Sequence, residues 1–337
     1  MKKETETNEK FVVVKGKKYC VEKNCLELPN LDIIDLGEIE GLENISDSLI
    51  LMNLRGNDLE TISRLPSMPN LKNLDLDQNR LTNLEGLDNV PHLTNLSAVG
   101  NEISSINGLE SLDMIKGLDL SENHITSMKE LESFHALEEL SLRANLLNEI
   151  CGIDSMNQLK MLLLSQNNLK ELNPLENKSS LETLWINENQ ISSIDSLSGC
   201  TNLAELDIRD NQITNIDVFA QLPNLYLVHA ENNLITNLPP LDTFMHANEE
   251  YVGGGFFFSN NQIETIKMNH EIIVGELWLD HNRLTDAEWI LHIWLEDTFD
   301  LHIMDNPFTP EAEPIFEEYQ RITEAGERKP WKIPERI

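Results

Sequence analysis

The stretch LETLWINENQISSIDSLSGCTNLAELDIRDNQI (181–213) passes twice through the frame LxxLxLxxNxL, once around Asn189 and once around Asn211. Outward from it the frame recurs, as in LKNLDLDQNRL (71–81) and LEELSLRANLL (137–147). Its asparagine stands at Asn57, Asn79, Asn101, Asn123, Asn145, Asn167, Asn189, Asn211 and Asn233, an unbroken spacing of 22 residues. A fixed period of this length marks stacked units that bury a continuous core together.

Chemistry explains the frame. The LxL pair has period two, which puts both leucines on one face of a short strand, and strands of successive units stack in parallel about 4.8 Å apart. The asparagine falls where the chain leaves the strand. Its amide carries donors and acceptors, so a column of asparagines can satisfy the backbone groups that the turn frees. That assigns the column to the scaffold and not to catalysis or metal binding. After the asparagine, apolar residues recur every third position, as at Ile62, Leu65 and Met68 or Ile194, Leu197 and Cys200. Such spacing predicts 3₁₀ turns or extended backbone. The wider back of each unit would bend the array, with strands on the concave side.

Beyond Asn233 the register loosens. The next frames centre on Asn261, Asn282 and Asn306, at intervals of 28, 21 and 24, for about twelve units in all, with a degenerate one around Ile39, Leu42 and Ile45. The interval of 28 places an insertion near 239–255, which contains three consecutive glycines and reads either as a tolerated surface loop or as a contributor to binding. FVVVKGKKYCVEKNCLEL (11–28) predicts a β-hairpin lid turning at Lys15-Gly16-Lys17. TPEAEPIFEEYQRITEAGE (309–327) predicts a helix with Thr309 as N-cap, Pro310 at its first position and Ile315, Phe316, Tyr319 and Ile322 on one face, a capping helix or one that binds a partner.

On these motifs the sequence resembles the SDS22-like class of leucine-rich repeats, whose 22-residue units occur in intracellular phosphatase regulators and, in secreted form, in bacterial internalins. LTNLEGLDNVPHLTNL (81–96) is similar to both branches. The resemblance covers about 31–308 and implies an α/β repeat solenoid: a curved, right-handed leucine-rich-repeat solenoid with a parallel concave sheet and a 3₁₀ or extended convex side. An N-terminal cap over 1–30 and a helical cap and tail over 309–337 complete the expected organisation. The resemblance further implies a protein-binding scaffold without catalysis, but carries no contact residues over to this chain.

The net charge of −33, from 25 Lys+Arg against 58 Asp+Glu, bears on partners. It opposes self-association, which predicts a monomer, and would steer in a basic protein. It opposes nucleic acid, whose phosphates are held by Lys and Arg, and anionic membranes for the same reason. No apolar run approaches the roughly 18 residues of a membrane helix. MKKETETNEK does not read as a secretory signal, and Cys20, Cys25, Cys151 and Cys200 form no CxxC, so reduced thiols in a cytoplasmic protein are expected. No phosphate loop, GxSxG elbow or HExxH motif is present, and neither an enzyme nor a cofactor is predicted. Acidic segments such as DLDQN (75–79) and DIRDN (207–211) lack the spacing of a calcium loop.

Strand residues six, four and two positions before each asparagine should face solvent. The central column runs Asn53, Asp75, Ser97, Asp119, Ser141, Leu163, Trp185, Asp207, His229, Phe257, Trp278, His302: small and polar first, then large and aromatic. Contiguous apolar surface marks interaction sites, and binding energy concentrates in residues such as Trp. Two clusters are predicted to grip a protein: Met161, Leu163 and Trp185, then Leu227, His229, Phe257, Trp278 and His302. Glu205, Asp207 and Arg209 lie between them as a charged strand that fixes register. The competing reading is that LWI and LWL are ordinary repeat variants, or that the insertion covers Phe257 and Trp278. Three roles follow: an intracellular, non-enzymatic interaction scaffold, possible as a regulatory subunit; an exported internalin-like or effector-like binder of a host protein; or a structural assembly component.

Overall fold

A computed structural model describes residues 10–245, 254–295 and 301–324. They fall into two compact units that divide between Leu159 and Lys160. In the first unit six strands pair in parallel and in register: Cys25–Glu27, Leu51–Asn53, Asn73–Asp75, Asn95–Ser97, Gly117–Asp119 and Glu139–Ser141. In the second, seven do so: Met161–Leu163, Thr183–Trp185, Glu205–Asp207, Leu227–His229, Gly255–Phe257, Glu276–Trp278 and Leu301–His302. The repeats thus form the predicted leucine-rich-repeat solenoid.

The frame residues do what their periodicity requires. Leu74, Leu76, Leu184, Ile186, Leu206 and Ile208 are buried, as are Ile62, Leu65, Met68, Ile194, Leu197 and Cys200 behind them. The three-residue spacing yields 3₁₀ turns at Leu87–Asn89, Lys129–Ser133, Leu175–Asn177, Asp195–Gly199 and Asp217–Gln221. Burial pushes the Cys200 thiol up to about 11, so it behaves as a small core hydrophobe.

The asparagine ladder is explicit at Asn211. Its Oδ1 accepts from Ile191 N at 3.0 Å, while Nδ2 donates to Ile186 O at 3.0 Å and Ile208 O at 3.1 Å. One amide therefore ties its own unit to the preceding one. Asn101 repeats the pattern with Leu81 N, Leu76 O and Ala98 O. The residue just before every frame asparagine adopts positive φ, from Gly56 and Gln78 through His281 and Asp305. This left-handed step swings the chain out of the strand.

Both ends depart in detail from the sequence reading. Phe11–Val14 and Lys17–Cys20 form the expected hairpin, with Lys15 and Gly16 both at positive φ as a two-residue turn requires. Its outer partner is Ile39–Glu40, so the degenerate unit around Ile39 serves the cap and supplies no strand to the main sheet. The 11–28 segment is not a single lid: Cys25–Glu27 begins the main sheet, because Leu26 and Leu28 are an LxL pair and both are buried. At the other end Pro310–Ala312 is a 3₁₀ turn that leads into the helix Glu313–Glu324. Thr309 holds the N-cap position without a side-chain capping bond. Tyr319 is buried, and the Phe316 ring meets Phe308 edge-on at 5.2 Å. Residues 246–253 of the 239–255 insertion lie outside the described residues; within its described part Leu241–Thr243 forms a 3₁₀ turn.

Candidate functional site: a ring ladder on the sheet of the second unit

Parallel register brings the predicted residues together. Leu163 faces Trp185, Trp185 faces Asp207, and Asp207, His229, Phe257, Trp278 and His302 follow on successive strands. Met161 and Leu163 are half-buried, while Trp185 is 41% exposed. Leu227 is half-buried beside Glu205 in the outer column.

From His229 onward the rings form a continuous stack. His229 and Phe257 are parallel with centroids 4.5 Å apart, Phe257 meets Trp278 edge-on at 5.0 Å, and Trp278 lies 4.5 Å from His302. Such offset and edge arrangements suit ring quadrupoles and add about 0.5–1.5 kcal/mol per pair beyond burial. Phe257 is only 9% exposed, so it is the packed centre of the ladder, with the neighbouring rings offering the accessible surface.

Glycine makes room for this. A Cβ on Gly255 would lie 2.5 Å from Phe257 Cε2, so the phenyl ring occupies the space that a side chain would take. At Gly254 a Cβ would lie 2.2 Å from the Tyr226 carbonyl oxygen. These described glycines of the run thus serve close packing; flexibility is not needed to explain them.

On the charged strand the side chains bond within the chain. Asp207 is buried, its side chain 6% exposed, and accepts from Arg209 Nε at 3.0 Å and Nη2 at 2.6 Å. That bond holds the Arg209 guanidinium above its ordinary pKa range. Glu205 accepts from Tyr226 Oη at 2.6 Å. The strand's charges are therefore engaged within the chain, because residues two apart on a strand share a face and can chelate each other.

Beside the central column, sequence reading took Met161, Glu205 and Leu227 from one flank and Arg209 from the other, and passed over three further residues of Arg209's column. Glu231, Ser259 and Asp280 lie two positions before their asparagines, next to the rings. Met304 N donates to Asp280 Oδ1 at 2.5 Å. Glu231 Oε1 lies 3.6 Å from His229 Nδ1, and Asp280 Oδ2 lies 3.8 Å from His302 Nδ1. Among the described residues no group of three His, Cys, Asp or Glu side chains is placed to hold a metal ion. No helix of the described residues is long and apolar enough to cross a membrane.

Comparison with known proteins places the class. Residues 201–243 match the family described as Leucine Rich repeats (2 copies). No curated protein sequence matches the chain. Among solved structures, a leucine-rich-repeat protein of Leptospira interrogans is similar over 88% of this chain and 82% of its own, with a TM-score of 0.68 and 23% identity. An internalin of Listeria monocytogenes, InlF, is similar over 85% of this chain and 87% of its own, with a TM-score of 0.65 and 21% identity. The Arabidopsis receptor kinase HAESA, in complex with a peptide hormone and a co-receptor, is similar over 84% of this chain and 54% of its own, with a TM-score of 0.63 and 18% identity. The fold is that of a leucine-rich-repeat protein, a class that generally serves as a protein-interaction scaffold.

Proposed function

We propose that the protein is a non-enzymatic, SDS22-like interaction scaffold of the cytoplasm, a regulatory subunit that binds a protein through the sheet face of its second unit. The observation that carries this reading is the four-ring ladder His229–Phe257–Trp278–His302 on a sheet face, where three half-buried rings collect in register around the buried Phe257. Trp185 and Leu163 form a second apolar patch on adjoining strands, across the Asp207 strand from the ladder. HAESA, of the same fold, is bound to a peptide and a co-receptor in its structure, and protein ligands suit this reading. The net charge of −33 favours a basic protein over nucleic acid or an anionic membrane and favours a monomer.

Affinity purification with mass spectrometry, run with the wild type and with Trp185→Ala/Trp278→Ala, tests the reading. A partner recovered by the wild type and lost by the variant supports it. Equal recovery by both removes the ladder and Trp185 from the binding surface. Likeness to the Listeria internalin favours a second reading, an exported binder of a host protein. Fractionation of the native host, with the protein found in the medium or on the cell surface, would decide for it.

A further inference from the structure

The column beside the rings carries more chemistry than a generic apolar grip needs. The ladder hydrogen bonds Asn232 N to Ser259 O and Asn260 N to Asp280 O keep Glu231, Ser259 and Asp280 on consecutive strands in register. Strand spacing sets the two carboxylate-bearing residues about 10 Å apart, with the small Ser259 between them. The small Ser259 thus stands between two longer acidic side chains and leaves a notch between them, beside the rings.

Several buried polar atoms in and beside that notch make no hydrogen bond within the chain. Ser259 is 8% exposed and its Oγ makes no hydrogen bond; the same holds for Glu231 Oε2, His229 Nδ1 and Trp278 Nε1. A buried polar atom left unpaired costs about 1–3 kcal/mol, so four together point to a ligand that supplies partners. The local charge is negative: Glu231 and Asp280 line the notch and Glu276 sits two residues before Trp278. The nearby cation, Arg209, is bound to Asp207.

We propose that this notch receives an arginine side chain of the protein partner. The inference rests on the reading that the ring ladder is the binding surface and names the chemistry that the surface selects. A guanidinium is flat, stacks on aromatic faces and carries five donors in a fork wide enough to address carboxylates on both sides. An ammonium is compact and strongly hydrated, and a phosphate would meet only negative charge. Glu231 and Asp280 accept guanidinium donors, and Ser259 Oγ, sealed in the free protein, accepts one as the side chain seats. Trp278 Nε1, itself a donor, is left for a main-chain carbonyl beside that arginine, which makes the ligand a peptide segment and not a free cation.

The test uses the whole chain and the peptide acetyl-Gly-Arg-Gly-amide, followed at the indole N–H resonance of Trp278, identified by its disappearance in Trp278→Phe. The arginine peptide should give a saturating shift. The lysine peptide should bind at least about tenfold more weakly. The citrulline peptide, of the same shape without charge, should give no saturating shift. Glu231→Gln/Asp280→Asn should weaken arginine-peptide binding at least about tenfold while the other resonances stay in place. Equal binding of the citrulline peptide, equal binding to the double variant, or no saturating shift at about 10 mM arginine peptide would overturn the proposal. A partner that is lost with Trp185→Ala/Trp278→Ala but kept by Glu231→Gln/Asp280→Asn would also overturn it, and would leave the ring-ladder reading standing.

Discussion

The two units share one backbone design and use its solvent face in opposite ways. In the first unit the central column answers its own needs. Asn53 donates to Glu27 and accepts from Arg55 N, Asp75 accepts from Asp77 N, Ser97 donates to Asp77, and Ser121 links Asp119 to Ser141. Short polar side chains there reach back to the turn that follows their strand, and the face closes on itself. In the second unit rings stand in the same column from His229 on; they stack along the sheet but cannot cap turns. Four buried polar atoms among and beside them, Ser259 Oγ, Glu231 Oε2, His229 Nδ1 and Trp278 Nε1, make no hydrogen bond. A scaffold is thus common to both units, and readiness for a ligand belongs to one.

The largest expected effect tests the common part. Asn101→Ala and Asn211→Ala each strip a buried amide from four backbone groups of two adjoining units, and each should lower stability in urea unfolding by about 3 kcal/mol. A gap between them much above about 1 kcal/mol would break the idea of one shared frame. The next effect tests the contrast. Trp278→Ala should weaken partner binding by about 2 kcal/mol, roughly 30-fold, whereas Ser97→Ala in the first unit should leave it unchanged in a calorimetric titration. Gly255→Ala should cost about 1 kcal/mol of stability by driving the Phe257 ring off its neighbours, visible as altered aromatic resonances of the ladder.

The smallest effect concerns pH. Burial raises the Asp75 carboxyl above its usual range, against a smaller opposing effect of the Asp77 N–H. The folded state therefore binds this proton more tightly than the unfolded one. The group's contribution to stability declines as pH rises through the carboxylate range. Asp75→Asn keeps an oxygen for Asp77 N and should change stability at neutral pH by no more than about 0.5 kcal/mol, in the stabilising direction if either. A clear loss of stability would show that the polar face of the first unit depends on charge.

How much of this was legible follows from what each residue's identity determines. Leucine and asparagine columns announce the solenoid because only those side chains satisfy a buried strand and a buried turn. The 3₁₀ turns follow from three-residue spacing. The first strand escaped because Leu31 stands where the frame has asparagine, and its N–H is met instead by Asn57 Oδ1. The left-handed step before each asparagine escaped because glycine marks it only at Gly56 and Gly100, while Gln, Glu, Ala, Asp, Asn and His occupy it elsewhere. The rings of the candidate site could be found by counting back four from each asparagine. Counting back two finds Glu231, Ser259 and Asp280 as well, but their lack of partners depends on where neighbouring atoms fall. For the same reason no pattern revealed that Asp207 is sealed beneath Arg209.

The asparagine ladder also governs how the gene for such a protein can change length. Asn145 Oδ1 accepts from Ile125 N, and its Nδ2 donates to Leu142 O and to Leu120 O in the preceding unit. Excising 102–123 would leave the first two bonds untouched and would bring Ala98 O to the place of Leu120 O. A cut of one full period is silent to the amide network, whereas a cut one residue shorter moves every later leucine out of phase. Recombination between units can therefore shorten or lengthen the array in whole steps, and it can carry a ringed face or a polar one into a new position without rewriting the frame beneath it.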